Sequence, residues 1–582
     1  MDNDQSNQDS ARAHIGLFGS VMGYGLFRNY PMLVEVELAV LDDLGYSDFD
    51  RKNFFGYSIY TDGQDENTLR KLDNNNPFSA RNAQGTTYVS GSPNLSTYGI
   101  GLHVFGSYND ISQKANILAD GTAAAGIRID GTVNHLTIAP DVTVTANGER
   151  GAAVLVAFGS DHVINHRGTI SATGQNAVGI RIDFGMTGGS TSVNSGQSGG
   201  TNVAHSYFAT GWTSTSPQFN LAKNTLLKGA AAKTVNITGS ITANTTSPRS
   251  AAIYIGPGAH VETINFMRPD GGTTPTITGH IISDYDLVTD SSPLKPTVLN
   301  FGYKSDSDGG ATSINDSGFD MDIYGKILGY DYDWSGDSET YKVYQYSQND
   351  TFLGRGIFNL NFVGGVTTVH NDVWVNTLKV DAQGTLKIAG GAFITKADSN
   401  RLQNNGKIVF DIESSNPLTF GNVIYGSGQV EKTGSGNLTV TAYQTFTGSA
   451  LLNDGTLTLT SAAYLPNLTV NTSGILAGVG TIGSLTVTGG GLSPAGTLTY
   501  GTLTVNNALT LNNATIYVDL SSQPSYDLVA YTGNISALTM SSSSPNKVNL
   551  YNWLAGDYKL LSVGSDITSS FTDIDDYFTE VF

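Results

Sequence analysis

The chain has 582 residues, of which 69 are glycine, 16 are proline and none is cysteine, and only 14% are charged. Its net charge of −20 argues against a nucleic-acid partner, which needs basic patches. The lack of cysteine excludes disulfides and cysteine-ligated metal sites. No run of about 18 apolar residues occurs, so no helix is expected to cross a membrane.

The absence of cysteine also favours an exported protein, because a chain that stays unfolded in an oxidising periplasm benefits from having none. The first residues are polar and acidic, which is unlike a signal peptide. If the protein is exported, we expect its signal to lie upstream of Met1.

The N-terminal region, residues 1–60, holds the strongest helix pattern of the chain. Residues Glu35–Leu44 place apolar side chains at helical spacing, and Gly45 is a natural C-terminal cap. The aromatic-rich segment Asp50–Tyr60 is predicted to pack on the first coil of the domain that follows. Residues 61–97 are predicted to form an irregular segment that leads into this coil.

The stretch Ser20–Tyr24, together with the helix after it, resembles the Met-turn and last helix of a metzincin-type zinc protease. This resemblance covers about residues 15–50 and implies that Met22 lies under a metal site with Tyr24 beside it. No histidine of the chain is followed by glutamate, so the His-Glu-x-x-His zinc motif is missing. We therefore predict an inactive remnant of a protease-like domain or a structural cap, and no catalytic, metal or cofactor site.

A short apolar motif recurs between residues 98 and 185. If Gly101, Gly126, Ala153 and Gly179 are equivalent, the steps are 25, 27 and 26 residues. Two further motifs keep this spacing, and they begin at Asn109, Asn134 and Asp161 and at Ala119, Ala146 and Ala172. Three strand-like pieces per repeat, each closed by Gly, Asn or Asp, are typical of one coil of a parallel β-solenoid.

These repeats predict the fold class. It is an all-β, right-handed parallel β-helix (β-solenoid) with a small helical N-terminal segment. The strand period of two points Ile127, Ile129 and their equivalents into the core. One coil cannot bury its own apolar face, so the coils must stack.

Residues 98–357 are predicted to form a first β-helical domain with loop insertions at 186–214 and 283–356. Within the second insertion, Asp331–Gly336 begins like a calcium loop, but Lys342 stands where the bidentate glutamate would be. The acidic stretch Ser305–Gly310 is also turn-like. Both stretches are interpreted as solvated turns rather than metal sites.

Residues 358–582 are predicted to form a second β-helical domain of short apolar–Thr–apolar strands. Three of its stretches, and others like them, resemble the passenger-associated transport repeat of bacterial autotransporters (type V secretion). They are Glu431–Val440, Leu452–Leu459 and Gly474–Val487. The resemblance covers roughly residues 98–562.

This resemblance implies a passenger β-helix that a C-terminal outer-membrane β-barrel carries to the surface of a Gram-negative-type bacterium. The twenty residues after Ser562 lack barrel strands, so either that barrel lies elsewhere in the full-length protein, as we expect, or the chain reaches the surface another way. The leading hypothesis is an adhesin, not an enzyme, with a host or bacterial surface protein or glycan as partner. It would be located at the cell surface or secreted, and would belong to the virulence factors.

Two arginine–aspartate pairs flank inward-pointing isoleucines. Arg128 precedes Asp130 and Arg181 precedes Asp183 by two residues, whereas the coil between them carries Leu155 and Ala157. A β-helix that cleaves polysaccharides would gather such residues on one face, which keeps a carbohydrate-active enzyme as an alternative. A zinc protease whose catalytic half lies upstream is another. The simpler interpretation is salt pairing on the surface.

Overall fold

The computed structural model describes residues 35–46, 49–183, 231–256, 259–269, 271–285, 295–329, 354, 356–395, 400–496, 500–520, 526–551, 561–563 and 578–581. The chain divides into two compact units, Met1–Leu360 (unit 1) and Asn361–Phe582 (unit 2). Strand β23 (Phe358–Phe362) runs across this division.

Two helices precede the first strand in the part of unit 1 that is described. Helix α1 (Glu35–Asp43) is followed by Gly45 at φ +93°, a left-handed conformation that glycine adopts without strain. Helix α2 (Arg51–Phe54) begins after Asp50, whose side chain accepts a hydrogen bond from the Lys52 backbone N–H (3.1 Å). The helix predicted from the apolar spacing is therefore confirmed.

Unit 1 is built from three parallel sheets, and each coil from β3 to β21 contributes one strand to each sheet. The first sheet consists, in spatial order, of β1 (Phe55–Ile59), β3 (Ile100–Val104), β6 (Ala125–Ile129), β9 (Ala152–Val156), β12 (Val178–Ile182), β15 (Ala251–Ile255), β18 (Ile281–Ser283) and β22 (Ile327–Gly329).

The second sheet consists of β2 (Arg70–Asn74), β4 (Asn109–Gln113), β7 (His135–Ile138), β10 (His162–His166), β13 (Ala232–Ile237), β16 (Val261–Arg268) and β19 (Thr297–Ser305), with β20 (Ala311–Asn315) antiparallel to β19. The third sheet consists of β5 (Ile117–Leu118), β8 (Thr143–Thr145), β11 (Thr169–Ala172), β14 (Ser240–Ala243), β17 (Ile277–Thr278) and β21 (Asp320–Ile323).

The strand register of unit 1 follows the sequence repeat. Leu102, Ile127, Val154 and Ile180 are successive partners across the first sheet, and all four are fully buried. This stacking confirms the predicted parallel β-helix, because each coil covers the apolar face of the one before it.

In one coil, the strand pairing differs by one residue from the alignment of the sequence motifs. The sequence repeat equates His135 with His162, but the structure pairs His135 with Val163. The extra residue lies between Ala157 and Asp161, because Ala157 follows its strand as Asp130 does and Asp161 has a positive φ (+60°), as Val133 (+51°) of the preceding coil does. His162 consequently points into the core, where it is fully buried.

The β-helix begins at Phe55, because β1 and β2 pair with the strands of the next coil. Strand β2 lies inside residues 61–97, which the sequence suggested as an irregular lead-in. Residues 295–329, inside the second suggested insertion, form strands β19 to β22 of the unit. Residues 186–214 lie outside the described residues.

Unit 2 consists of parallel strands throughout its named pairings. They are β24 (Gly365–Val369), β25 (Val373–Val375), β26 (Thr377–Val380), β27 (Gly384–Ile388), β28 (Phe393–Thr395), β29 (Arg401–Asn404), β30 (Lys407–Asp411), β31 (Leu418–Phe420), β32 (Val423–Tyr425), β33 (Gln429–Thr433), β34 (Asn437–Val440), β35 (Ala450–Leu459), β36 (Tyr464–Gly478), β37 (Thr481–Thr488), β38 (Gly491–Pro494), β39 (Thr502–Asn512), β40 (Thr515–Asp519), β41 (Leu528–Tyr531), β42 (Leu538–Met540), β43 (Asn546–Tyr551), β44 (Leu561–Val563) and β45 (Phe578–Val581), with a short 3-10 turn at Ile535–Ala537.

The leucine and valine positions of the apolar–Thr–apolar strands form the core of unit 2. Leu468, Leu485 and Leu509 are successive partners in β36, β37 and β39, and all are buried. The threonines that alternate with them, such as Thr469 and Thr486, lie on the outside. A period-two pattern with β-branched residues outside therefore sets the register of this unit as well.

Candidate functional site

The residues that resemble a protease Met-turn, Met22 and Tyr24, lie outside the described residues, as does the stretch Asp331–Gly336. The acidic turn Ser305–Gly310 is described, and Asp306 Oδ1 accepts the backbone N–H groups of Asp308 (2.9 Å) and Gly310 (2.7 Å). These bonds fix the conformation of the acidic turn. Within the described residues, no group of three or more His, Cys, Asp or Glu side chains is placed to hold one.

A row of polar side chains crosses the outer face of the first sheet. His103, Arg128, Leu155, Arg181 and Tyr254 are successive strand partners in β3, β6, β9, β12 and β15. Each alternates with core residues of its own strand and therefore points away from the core. We call this set, with the aspartates described next, the charged row.

Three aspartates follow the strands of the charged row at one edge of the sheet. The backbone N–H groups of Asp130, Asp183 and Asp284 each donate to the preceding coil, and Ala157 and Gly256 occupy the coils between them. Because parallel strands lie about 4.8 Å apart, successive aspartates of this column are about 10 Å apart. The alternation confirms that Leu155 and Ala157 interrupt the ladder.

Asp130 is the centre of the tightest cluster in the row. Arg128 Nε donates to its Oδ2 (2.7 Å) and Arg128 Nη2 to its Oδ1 (3.3 Å), while His103 Nε2 lies 2.8 Å from Oδ2. The three side chains are at most 1% exposed. The expectation of pairing on the surface is therefore wrong for Arg128 and Asp130, because this face of the sheet is covered.

The other two aspartates of the row have different partners. Arg181 donates to Asp183 Oδ2 through Nη2 (2.8 Å) and Nε (3.0 Å), and the arginine side chain keeps 18% exposure. Asp284 accepts bonds from the Tyr254 hydroxyl (3.2 Å) and the Gly354 backbone N–H (2.7 Å).

Helix α1 covers part of this face. Leu38 is buried in a cluster with Phe55, Ile100 and Leu155, and the Val36 N–H donates to the Tyr60 hydroxyl (3.2 Å). Burial raises the pKa of Tyr60 above its usual value. Leu155, one position of the charged row, therefore lies under the N-terminal segment.

The charged side chains of the row are held by charge-assisted hydrogen bonds along the sheet face. Sequence reasoning missed His103 and Tyr60. The 25-residue step that equates His103 with Arg128 was the signal that could have identified the histidine.

Lys432 is a buried cation in unit 2. It is the strand partner of Phe410 and Leu452, which are core residues, and is 2% exposed. Its ammonium donates to the carbonyl oxygens of Thr433 (2.6 Å), Gly434 (2.6 Å) and Asp454 (3.2 Å). Burial lowers the pKa of Lys432, and the three carbonyls compensate the charged form.

Replacing Lys432 by methionine is expected to lower the free energy of unfolding of unit 2 by about 2 kcal/mol, because three carbonyls lose their donor. Urea unfolding measures the loss. Lys407→Met is the matched control: this half-exposed lysine pairs with Glu431, and its loss should cost less than about 1 kcal/mol. Equal losses for both variants would contradict a role for the carbonyl cage.

Asp527 is a buried acid of unit 2 whose pKa is strongly shifted. Its two carboxylate oxygens accept the backbone N–H groups of Gly501 (3.1 Å) and Asp519 (3.0 Å). Burial, with the Asp519 carboxylate as a smaller cause, nevertheless raises the pKa of Asp527 to about 6. The folded chain therefore holds a proton there that the unfolded chain releases near pH 4.

Since the folded pKa lies above the unfolded one, unit 2 should be more stable at pH 4 and lose about 2 kcal/mol as pH rises through 6. Asp527→Asn should remove this dependence, which urea unfolding at pH 4 and 7 measures. Asp411→Asn is the control with opposite sign, because a Lys387 hydrogen bond lowers the pKa of Asp411. An unchanged pH slope in Asp527→Asn would contradict the assignment.

No protein-family model matches the chain, and no curated protein sequence matches it. Among the described residues, no helix has the length and apolar character needed to cross a membrane.

Proposed function

We propose that the chain is a surface-displayed autotransporter passenger of a Gram-negative-type bacterium and that it acts as an adhesin rather than an enzyme. An outer-membrane β-barrel of the full-length protein would carry it outward. The partner would be a surface protein or a glycan. The passenger-like repeats of unit 2 and the low content of charged residues support this proposal.

The observation that carries the proposal is the coil-on-coil pairing of unit 2. Strand partners recur after 16 to 32 residues, as from Ile475 to Gly491, from Lys407 to Gln429 and from Thr515 to Lys547. Each coil offers a complete parallel edge to the next one, so a chain that emerges from one end can fold coil by coil. Folding outside the cell would then draw the rest of the chain outward.

Antibodies against the purified chain test surface display on the cells that produce it. Intact cells should bind these antibodies and lose the epitope when a protease is added outside. Antibodies against a cytoplasmic protein should bind only after lysis. Staining of the chain that also requires lysis would overturn the proposal.

The folding step makes a separate prediction. A fragment of residues 361–582 is expected to unfold cooperatively in urea and to protect its strand amides from hydrogen exchange, because its strands pair among themselves. The full chain provides the reference for the protection pattern. A fragment that lacks protected amides would remove support for a folding seed at this end.

A further inference from the structure

On the outer face of unit 2, a gap over Val423 separates the side chain of Arg401 from the stacked rings of Tyr443 and Tyr464. Arg401 is the strand partner of Val423. The hydrogen bond from Thr445 N–H to Ile424 O places Tyr443 beside Val423 in the next coil. Short Val423 therefore stands between two long side chains whose backbones are about 10 Å apart, two coil spacings.

Tyr443 presents one open ring face to this gap. Its other face stacks on Tyr464 of the following coil, with ring centroids 4.3 Å apart and an angle of 13° between planes. Tyr443 is 57% exposed. Since the stacked face points to the following coil, the free face points back towards Val423. Burying this face against a ligand would remove a large apolar area from water.

Arg401 forms the opposite wall of the gap. Its guanidinium lies over the ring of Tyr425, 4.4 Å from the centroid, and the residue is exposed. Within the described residues it forms no ion pair, whereas the lysines of neighbouring coils pair with acids, as Lys379 does with Asp381 and Lys387 with Asp411. The cation–π contact orients the guanidinium while its N–H donors remain available.

We propose that this gap, lined by Arg401, Val423, Tyr425 and Tyr443, binds one carboxylate-bearing sugar of a glycan. The guanidinium fork takes the carboxylate through two parallel N–H···O bonds. The open face of Tyr443 takes the apolar face of the sugar ring. This inference rests on the proposed adhesive function and names the class of its partner.

The charge of the chain favours a single acidic sugar over a polyanion. The net charge is −20, so a ligand with many negative charges is repelled at long range. One carboxylate is matched locally by a guanidinium that forms no ion pair with any described residue. A neutral sugar would offer the Arg401 guanidinium no carboxylate to bind.

Purified full-length chain, titrated with 3′-sialyllactose and with lactose by calorimetry or saturation-transfer NMR, tests the proposal. We expect the sialylated sugar to bind at least about tenfold more tightly than lactose. Arg401→Ala should abolish this preference, and Arg401→Lys should retain only part of it because lysine lacks the fork. Tyr443→Ala should weaken binding of the sialylated sugar by about tenfold, whereas Tyr443→Phe should preserve stacking and binding.

Tyr551→Ala is the matched control, since Tyr551 is an exposed tyrosine of the same unit that stacks on Tyr517 (6.3 Å). It should bind like the native chain, and circular dichroism should show that all variants keep their strands. Equal affinity for both sugars, stronger binding of glucose 6-phosphate, or unchanged binding by Arg401→Ala would overturn the proposal. Because this assay uses purified protein, its failure leaves surface display intact, and a failure of surface display leaves the sugar site intact.

Discussion

Replacing Arg128 by methionine is expected to lower the free energy of unfolding of unit 1 by about 3 to 4 kcal/mol. Removing one partner of a buried ion pair leaves the other charge buried with too few partners. Here the Asp130 carboxylate would lose two donated hydrogen bonds and keep His103. Amide hydrogen exchange in β3, β6 and β9 measures this loss locally.

Two further variants sharpen the Arg128 experiment. Arg181→Met is the matched control, because Arg181 makes the equivalent pair with Asp183 but remains 18% exposed, and its loss should cost about 1 to 2 kcal/mol. The double variant Arg128→Met with Asp130→Leu should recover much of the stability, because both charges are gone. A single Arg128→Met variant as stable as Arg181→Met would show that the burial of this pair carries little energy.

Much of the fold could be predicted because the β-helix repeats its pattern in the sequence. The steps of 25 to 27 residues predicted the strand partners of Ile127 and Val154. The glycine after α1 predicted where the helix ends. The error at His162 has a local cause. The coil carries one extra residue between Ala157 and Asp161, and a motif alignment that ignores it assigns every later residue of the strand to the opposite face.

The candidate site was harder to predict because alternation identifies a face but not what lies on it. Arg128 was correctly placed outside the core, yet the helix segment that packs on the same sheet buries that face. Similarly, Lys432 occupies an inward position between Phe410 and Leu452. Lysine is rarely buried in a protein core, and only the three carbonyl oxygens at the turn explain why it is tolerated at this position.

The gap beside Tyr443 could not be derived from sequence either. It depends on which residues of coils with different lengths become neighbours, and Arg401, Val423 and Tyr443 are separated by 22 and 20 residues. No short motif connects them. The parallel register alone brings them into one column.

Acidification is expected to destabilise unit 1 through its buried histidines, among them His166. His166 is fully buried, and its Nε2 lies 3.0 Å from the Ser240 carbonyl. Burial lowers the pKa of His166 to about 4. Between pH 6.5 and 4 the unfolded chain therefore binds a proton at His166 that the folded chain does not. The free energy of unfolding of unit 1 consequently decreases as the pH is lowered, by about 3 kcal/mol in total.

His166→Leu tests this expectation because leucine fills the core position and cannot titrate. Its stability near pH 7 should change by about 1 kcal/mol through loss of the Ser240 bond, but its decline towards pH 4 should be much shallower than that of the native chain. His135→Gln is the control, since His135 is only partly buried. Amide exchange in β10 and β13 at pH 4, 5 and 7 gives the profiles. If His166→Leu loses as much stability towards pH 4 as the native chain does, the acid sensitivity of unit 1 comes from other groups.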